Sequence, residues 1–235
     1  MQKKNYSYIG IAFIILVFGI IFIPRIVDKI SKGETVEKDR MNIVGKERNT
    51  KLLYLKIDDK ARSVPEFLFT NQDNLEISNL DFRGKVTVME FFFTTCPTIC
   101  PVMNNNMRLL DDEFHERDDF AIGSFTIDPE KDTPKVLKEY AERYGVKSLN
   151  WHFLTGDLKK LHELSNKGFN IFTGINPEVA GGFEHQGFFA LIDKNGFIRS
   201  RKDNHGNPKV YYQGTDPKEI EMLKEDIKNL LDEEQ

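Results

Sequence analysis

The sequence predicts an α/β domain, one sheet covered on both faces by helices, carried behind a single N-terminal transmembrane helix. Three observations predict it. Strand-like apolar runs alternate with amphipathic helical ones through most of the chain. The run Val86-Thr87-Val88-Met89-Glu90-Phe91-Phe92-Phe93 is apolar almost throughout and led by β-branched residues, the pattern of a central strand buried on both faces. At the other extreme of the chain, residues 5–24 carry no charge at all.

Composition agrees with a folded domain: of 235 residues, 40% are apolar and 30% charged, and 19 Phe are enough for an aromatic core. The net charge is −4 and no dense run of Lys and Arg occurs, which argues against nucleic acid as a partner. The two cysteines lie within five residues of each other, which excludes a disulfide-stapled scaffold.

The elements follow in order. The stretch from Ile9 to Ile23 is apolar on every side and just long enough to span a bilayer, with Tyr6 and Tyr8 at the interfacial level. Ile23-Pro24-Arg25-Ile26 follows it in place of a small-residue cleavage site, so an uncleaved anchor over residues 1–30 is expected. Lys3 and Lys4 before the span, and Arg25, Lys29 and Lys32 after it, leave its orientation open. Residues 31–55 read as a polar tether and residues 56–235 as the domain. Within the domain, residues 64–70 read as a first strand, closed by a turn at Asn71-Gln72-Asp73-Asn74. The buried strand follows at 85–93, then Cys96 and Cys100, then a helix at 102–114. A second core strand is expected at 120–127. Thr133 and Pro134 form the cap and first turn of a helix with the apolar stripe Val136, Leu137, Tyr140, Ala141 and Tyr144, ended by Gly145. A short strand at 151–154 precedes a helix capped by Asp157 and carrying Leu158, Leu161 and Leu164. Residues 188–192 form a strand that turns at Asp193-Lys194-Asn195-Gly196 into a partner at 197–201. Residues 202–212 read as an exposed loop. Asp216-Pro217-Lys218-Glu219 has the form of a capping box opening a helix with Ile220, Leu223, Ile227 and Leu230.

The cysteines sit where the buried strand hands over to a helix, the end of an open sheet at which ligand sites form. A helix N-terminus favours thiolates. A spacing of four brings both sulfurs to one side, which suits a two-thiolate clamp for a soft ion or a reversible disulfide. Asp128, Glu130 and Asp132 are read as a brace for the sheet end and the following helix, since no Gly-containing calcium loop surrounds them. Among the histidines, His115, His152 and His162 fit no ligand spacing, and His115 and His162 are expected in solvent on their helices. His205, in a Gly/Asn loop, is the one accessory candidate.

Three motifs then resemble one family, the Sco/SenC copper chaperones. Phe91-Phe92-Phe93-Thr94-Thr95-Cys96-Pro97-Thr98-Ile99-Cys100-Pro101 is similar to its F-x-x-T-x-C-P-x-x-C-P. Ile127-Asp128-Pro129-Glu130-Lys131-Asp132-Thr133-Pro134 is similar to its V-D-P-x-x-D-T-P. His185 ahead of Phe188-Phe189-Ala190-Leu191-Ile192 is similar to its metal histidine before a strand. The resemblance covers residues 64 to the C-terminus. It implies a thioredoxin-like fold behind a membrane anchor, and copper, as Cu(I) or Cu(II), held by Cys96, Cys100 and His185. It further implies an upstream copper donor, and delivery to the copper-bearing subunit of cytochrome c oxidase. The location implied is an inner membrane, crossed once, with the domain in the periplasm or an equivalent extracytoplasmic space. Thr98-Ile99 departs from the family's Asp-Val, Glu184 from its Asp, and residues 171–183 and 202–212 do not align. Zinc in a structural site would want a fourth ligand.

The alternative is a thiol–disulfide oxidoreductase using a redox-active Cys96–Cys100 disulfide. Against it, the cysteines are separated by three residues rather than two. Glu184-His185-Gln186-Gly187 also stands where such enzymes carry a proline. A peroxidase is disfavoured because Phe93 occupies the position of the peroxidatic threonine. A metallochaperone is therefore expected, with thiol–disulfide reductase activity as an accessory role and no catalytic residue assigned.

Overall fold

The computed structural model describes residues 16–20, 23, 24, 52–57, 59–203 and 205–233. The anchor expected over residues 1–30 lies largely outside these. Residues 16–20, 23 and 24 are helical, and among the described residues no helix is long and apolar enough to cross a membrane. The chain divides into two compact units, residues 1–48 and 49–235.

In the second unit the central strand forms as its pattern dictates: β6 (Val86–Phe92) is buried at all seven positions. It runs parallel to β7 (Phe120–Thr126), itself buried throughout, and β7 runs parallel to β8 (Trp151–Thr155). On one side β4 (Leu68–Asn71) and β5 (Glu76–Ser78) add antiparallel strands beyond β8. On the other, β11 (Phe188–Ile192), β12 (Ile198–Ser200) and β1 (Leu53–Tyr54) extend the sheet antiparallel, and β13 (Tyr212–Gln213) pairs with the start of β11. The order is β1-β12-β11-β6-β7-β8-β4-β5. Two small hairpins stand apart from this sheet, β2 (Lys56–Ile57) with β3 (Lys60–Ala61), and β9 (Thr173–Ile175) with β10 (Phe183–His185).

Neighbouring residues of a strand point to opposite faces, so Phe92 and Phe91 report both. Phe92 meets Tyr140 of α2 (Pro134–Tyr144), with ring centroids 5.5 Å apart. At 5.6 Å Phe91 meets Phe169, the last residue of a one-turn π-helix (Leu164–Phe169) that follows α3 (Leu158–Glu163). α1 (Cys100–Phe114) packs Phe114 on Phe120, and α4 (Pro217–Asp232) lies beside α1 through the Lys224–Glu113 and Lys228–Glu113 ion pairs. Both faces are covered, as expected. Thr133 caps α2 by accepting from the Val136 amide, and Gly145 ends it at φ 65°, the left-handed conformation that glycine adopts without penalty.

Several expectations are corrected. The first strand is shorter, Leu68–Asn71, because Pro65 offers no amide to a ladder. The helix after the cysteines starts at Cys100, not residue 102. Residues assigned to the tether belong to the core: Leu52 and Leu55 are buried, and Leu53 and Tyr54 pair with Ser200 and Arg199. The end of the loop 202–212 is not exposed, since Tyr212 is buried, donates to Asp226 Oδ2 at 2.6 Å and belongs to β13. The capping box is half formed. Asp216 accepts from the Lys218 amide, whereas Glu219 turns away to accept from the Gln213 amide at 2.6 Å.

Candidate metal centre

Strand β6 delivers the chain into a turn in which the Cys96 amide donates to Phe93 O at 3.2 Å. Asp132 holds that turn: it accepts from the Thr94 amide at 3.0 Å and from the hydroxyls of Thr94 and Thr126. Asp132 is thus the brace read from the sequence, tying the exits of β6 and β7 together. Burial pushes its carboxyl above the ordinary range although these donors oppose it. Cys100 then opens α1, whose first turn carries no acidic residue to compete for the dipole.

The third donor arrives from far away in sequence. The β9–β10 hairpin folds over the turn and places His185 Nε2 at 3.2 Å from Cys100 Sγ and 3.9 Å from Cys96 Sγ. The three donor atoms lie within 4.8 Å of one another. Phe93 fixes the imidazole edge-on at 5.7 Å and Phe183 packs on Phe93 at 5.5 Å. His185 Nδ1 is buried without a hydrogen-bond partner. Both thiols are free; Cys100 is fully buried, while Cys96 is 7% exposed and, with His185, lines a cavity of about 260 Å³ walled by Ile99, Val179, Ala180 and Phe183.

The electrostatics split the two thiols. The Cys100 thiol donates to Cys96, and with His185 and the amides of Cys100 and Thr98 it lowers Cys96 to about 3 in spite of burial. Cys100, which supplies that proton and is buried as well, is pushed far above the thiol range. The pair therefore shares one proton between its two sulfurs, a thiolate at Cys96 and a thiol at Cys100. Ions of this coordination chemistry take nitrogen at about 2.0 Å and thiolate at about 2.3 Å, which puts trigonal donors roughly 3.7–4 Å apart. Donors already gathered within 4.8 Å need only small movements to meet one soft ion, so the residues fit copper.

The structure brings Cys96, Cys100 and His185 together, and among the described residues they form the single cluster of ligating side chains that could hold a metal ion. His205 takes no part in it. His162 is not solvated as expected: its Nε2 lies 3.1 Å from Ile127 O and its Nδ1 3.5 Å from Thr173 Oγ1. His115, half-buried, folds back to Asp111 O at 3.1 Å. Glu90, buried in β6, is marked in the sequence only as a lone carboxylate inside an apolar run. A groove of about 710 Å³ between β4 and α3 is lined by Leu68, Leu80 and Lys160 and holds no ligating set among the described residues.

Fold and site together define a thioredoxin-like α/β domain with a soft Cys-Cys-His cluster at the carboxyl end of its central strand. Residues 56–216 match the SCO1/SenC family, and the chain belongs to it. The SCO1 protein homolog of Bacillus subtilis is 36% identical over 165 residues, 68% of this chain and 84% of that protein. BsSco is a member of the Sco family of cytochrome c oxidase assembly proteins in which a disulfide switch was identified. Its structure is similar at a TM-score of 0.61 and 32% identity, covering 74% of this chain and 95% of that one. Bradyrhizobium japonicum ScoI, solved with copper bound, shares the fold at a TM-score of 0.54 and 20% identity, over 70% of this chain and 98% of that one.

Proposed function

We propose that this protein is a membrane-anchored copper chaperone. Cys96, Cys100 and His185 hold the ion, and the copper-bearing subunit of cytochrome c oxidase receives it. The observation that carries the reading is the convergence of two sulfurs and one imidazole nitrogen within 4.8 Å at the mouth of a cavity. Thiolates select soft Cu(I), and the imidazole extends the set to Cu(II). Cys100 lies deepest, while Cys96 and the half-buried His185 both line the cavity. Incoming ligands of a recipient therefore reach Cys96 and His185 before Cys100, which is released last. The N-terminal span anchors the domain in the inner membrane, in the periplasm or an equivalent extracytoplasmic space. Retention of the full chain, but not of one beginning at Glu47, in membranes washed at high salt tests the anchor, and release of both removes it.

The decisive experiment is an anaerobic Cu(I) titration of the reduced domain from Glu47 against a chromophoric competitor, beside Cys100→Ser and His185→Ala. One tight equivalent, weakened at least tenfold in both variants, is expected. Absence of tight binding, or binding indifferent to His185, refutes the reading. A second reading is favoured by one observation, the Cys96 thiolate beside a protonated Cys100, which is the apparatus of thiol exchange. In that role the Cys96 thiolate attacks a disulfide of the recipient, and Cys100 then displaces the mixed disulfide to form Cys96–Cys100. Two electrons pass to the partner's sulfurs, with one proton supplied by Cys100 and the second by water.

A further inference from the structure

His185 reaches the cysteines from a hairpin that pairs with no strand of the main sheet among the described residues. Something other than the sheet must hold it in place. Along the hairpin the Gln186 amide donates to Phe172 O at 3.1 Å and the Asn176 amide to Gly182 O at 2.9 Å. By the alternation of an antiparallel ladder, Thr173 and His185 are then a non-hydrogen-bonded pair, and the backbone polar groups of Thr173 face away from β10.

Those groups meet Asn166. Its Oδ1 accepts from the Thr173 amide at 3.1 Å, and its Nδ2 donates to Thr173 O at 2.9 Å and Oγ1 at 3.2 Å. The side-chain amide takes the place of a neighbouring strand. One residue earlier Ser165 holds Ile171, its backbone carbonyl accepting the Ile171 amide at 3.0 Å and its hydroxyl donating to the Ile171 carbonyl at 2.6 Å. Both residues sit in the π-helix, a geometry that turns side chains where an α-helix would not. His162 closes the group from the other side, between Ile127 O and Thr173 Oγ1.

We propose that Asn166 is a positioning residue for the metal centre: its amide clamps Thr173, and through the Thr173–His185 cross-strand pair it sets where His185 Nε2 stands relative to the two sulfurs. The inference rests on the copper-binding reading above. Asn166 touches none of the three donors, so its effect must pass through the hairpin.

The test compares Asn166→Ala, Thr173→Val, His185→Ala and the Asn166→Ala/His185→Ala pair, using the Cu(II)–thiolate charge-transfer band and copper affinity. Asn166→Ala shifts the band and weakens binding about tenfold, the scale of losing two modest hydrogen bonds. Thr173→Val, which leaves the backbone clamp intact, stays within about twofold. In the His185→Ala background the Asn166 substitution changes nothing further. An unchanged band and affinity, or an equal loss without His185, overturns the proposal. If the unmodified protein shows no His185-dependent copper site, the copper reading itself fails, and the clamp is judged on the metal-free protein. There, exchange of the Thr173 amide hydrogen is at least tenfold faster in Asn166→Ala at unchanged global stability, and an equal rate overturns the clamp.

Discussion

Glu90 stands in the middle of β6 with its carboxyl group entirely out of water. Ser124 Oγ donates to its Oε1 at 2.8 Å and itself accepts from the Trp151 indole at 3.0 Å, while Oε2 has no partner. Burial pushes the carboxyl up to about 7 from an ordinary 4.5, against the Ser124 hydrogen bond. Cys100 and Tyr140 both feel its charge. Between those two values the folded state keeps a proton that the unfolded chain has lost. The group's favourable contribution is therefore complete below about pH 4.5 and is lost as pH rises through 7. The shift corresponds to at most about 3 kcal/mol. Urea unfolding of the parent should weaken by up to that much, relative to Glu90→Gln, between pH 4.5 and 8. Parallel pH curves for the two proteins would remove Glu90 from the account.

At the scale of elements, the β9–β10 hairpin is the part of the fold that makes the site, and its tip is built on two glycines. Gly181 and Gly182 hold φ of 93° and 83°, conformations that other residues adopt only under strain. A Cβ on Gly181 would stand 2.8 Å from the Phe93 ring, whereas one on Gly182 would meet nothing within 4 Å. Gly182→Ala should therefore cost the backbone strain alone, about 1 kcal/mol, and Gly181→Ala about 2–3 kcal/mol, because Phe93 is locked between Phe183 and His185. Denaturant unfolding of both variants separates the terms, and equal costs would show that the tip yields freely. Gly181→Ala should also loosen His185 and weaken copper binding, an effect absent from Gly182→Ala.

Across the whole domain, the sheet closes on a strand that precedes every motif. Leu52 and Leu55 are buried, Leu52 O accepts from Arg199 Nη2 at 3.0 Å, and the Arg199 guanidinium lies 4.2 Å over the Tyr54 ring. Arg199 is itself buried, paired with Asp193 and Glu233. A chain beginning at Lys56 should be less stable than one beginning at Glu47 by about 2–3 kcal/mol. Two leucines are worth about 1.5–3 kcal/mol each, offset in part by the freed backbone entropy. Equal unfolding midpoints would mean that β1 contributes no net stability. The copper site lies at the opposite end of β6 from this edge, so copper affinity should be the same in the two chains.

Hydrophobic period and local capping were enough to place β6, β7, β8, α2 and α4 to within a residue or two. Those signals are written in contiguous residues, and a run buried on both faces tolerates no other reading. Cys96 and Cys100 were readable for the same reason, as a local motif at a strand end. His185 entered through resemblance to a family, because nothing in its own neighbourhood marks a ligand. What brings it to the cysteines is contact across 85 positions of sequence, made by a hairpin whose strands are only three residues each. So short a pairing has no periodicity to detect. Its place is set by the amide of Asn166 and by Phe93, both outside the hairpin, with Phe183 of the hairpin itself packed on Phe93. The edge strand at Leu53–Tyr54 and the burial of Tyr212 were decided in the same way, by long-range pairing rather than by composition. The sequence by itself determined the sheet, its main helices and the pair of thiols, since these follow from local burial and capping. Tertiary structure alone decided that an imidazole completes the site, because the energy that holds it there comes from partners distant in the chain.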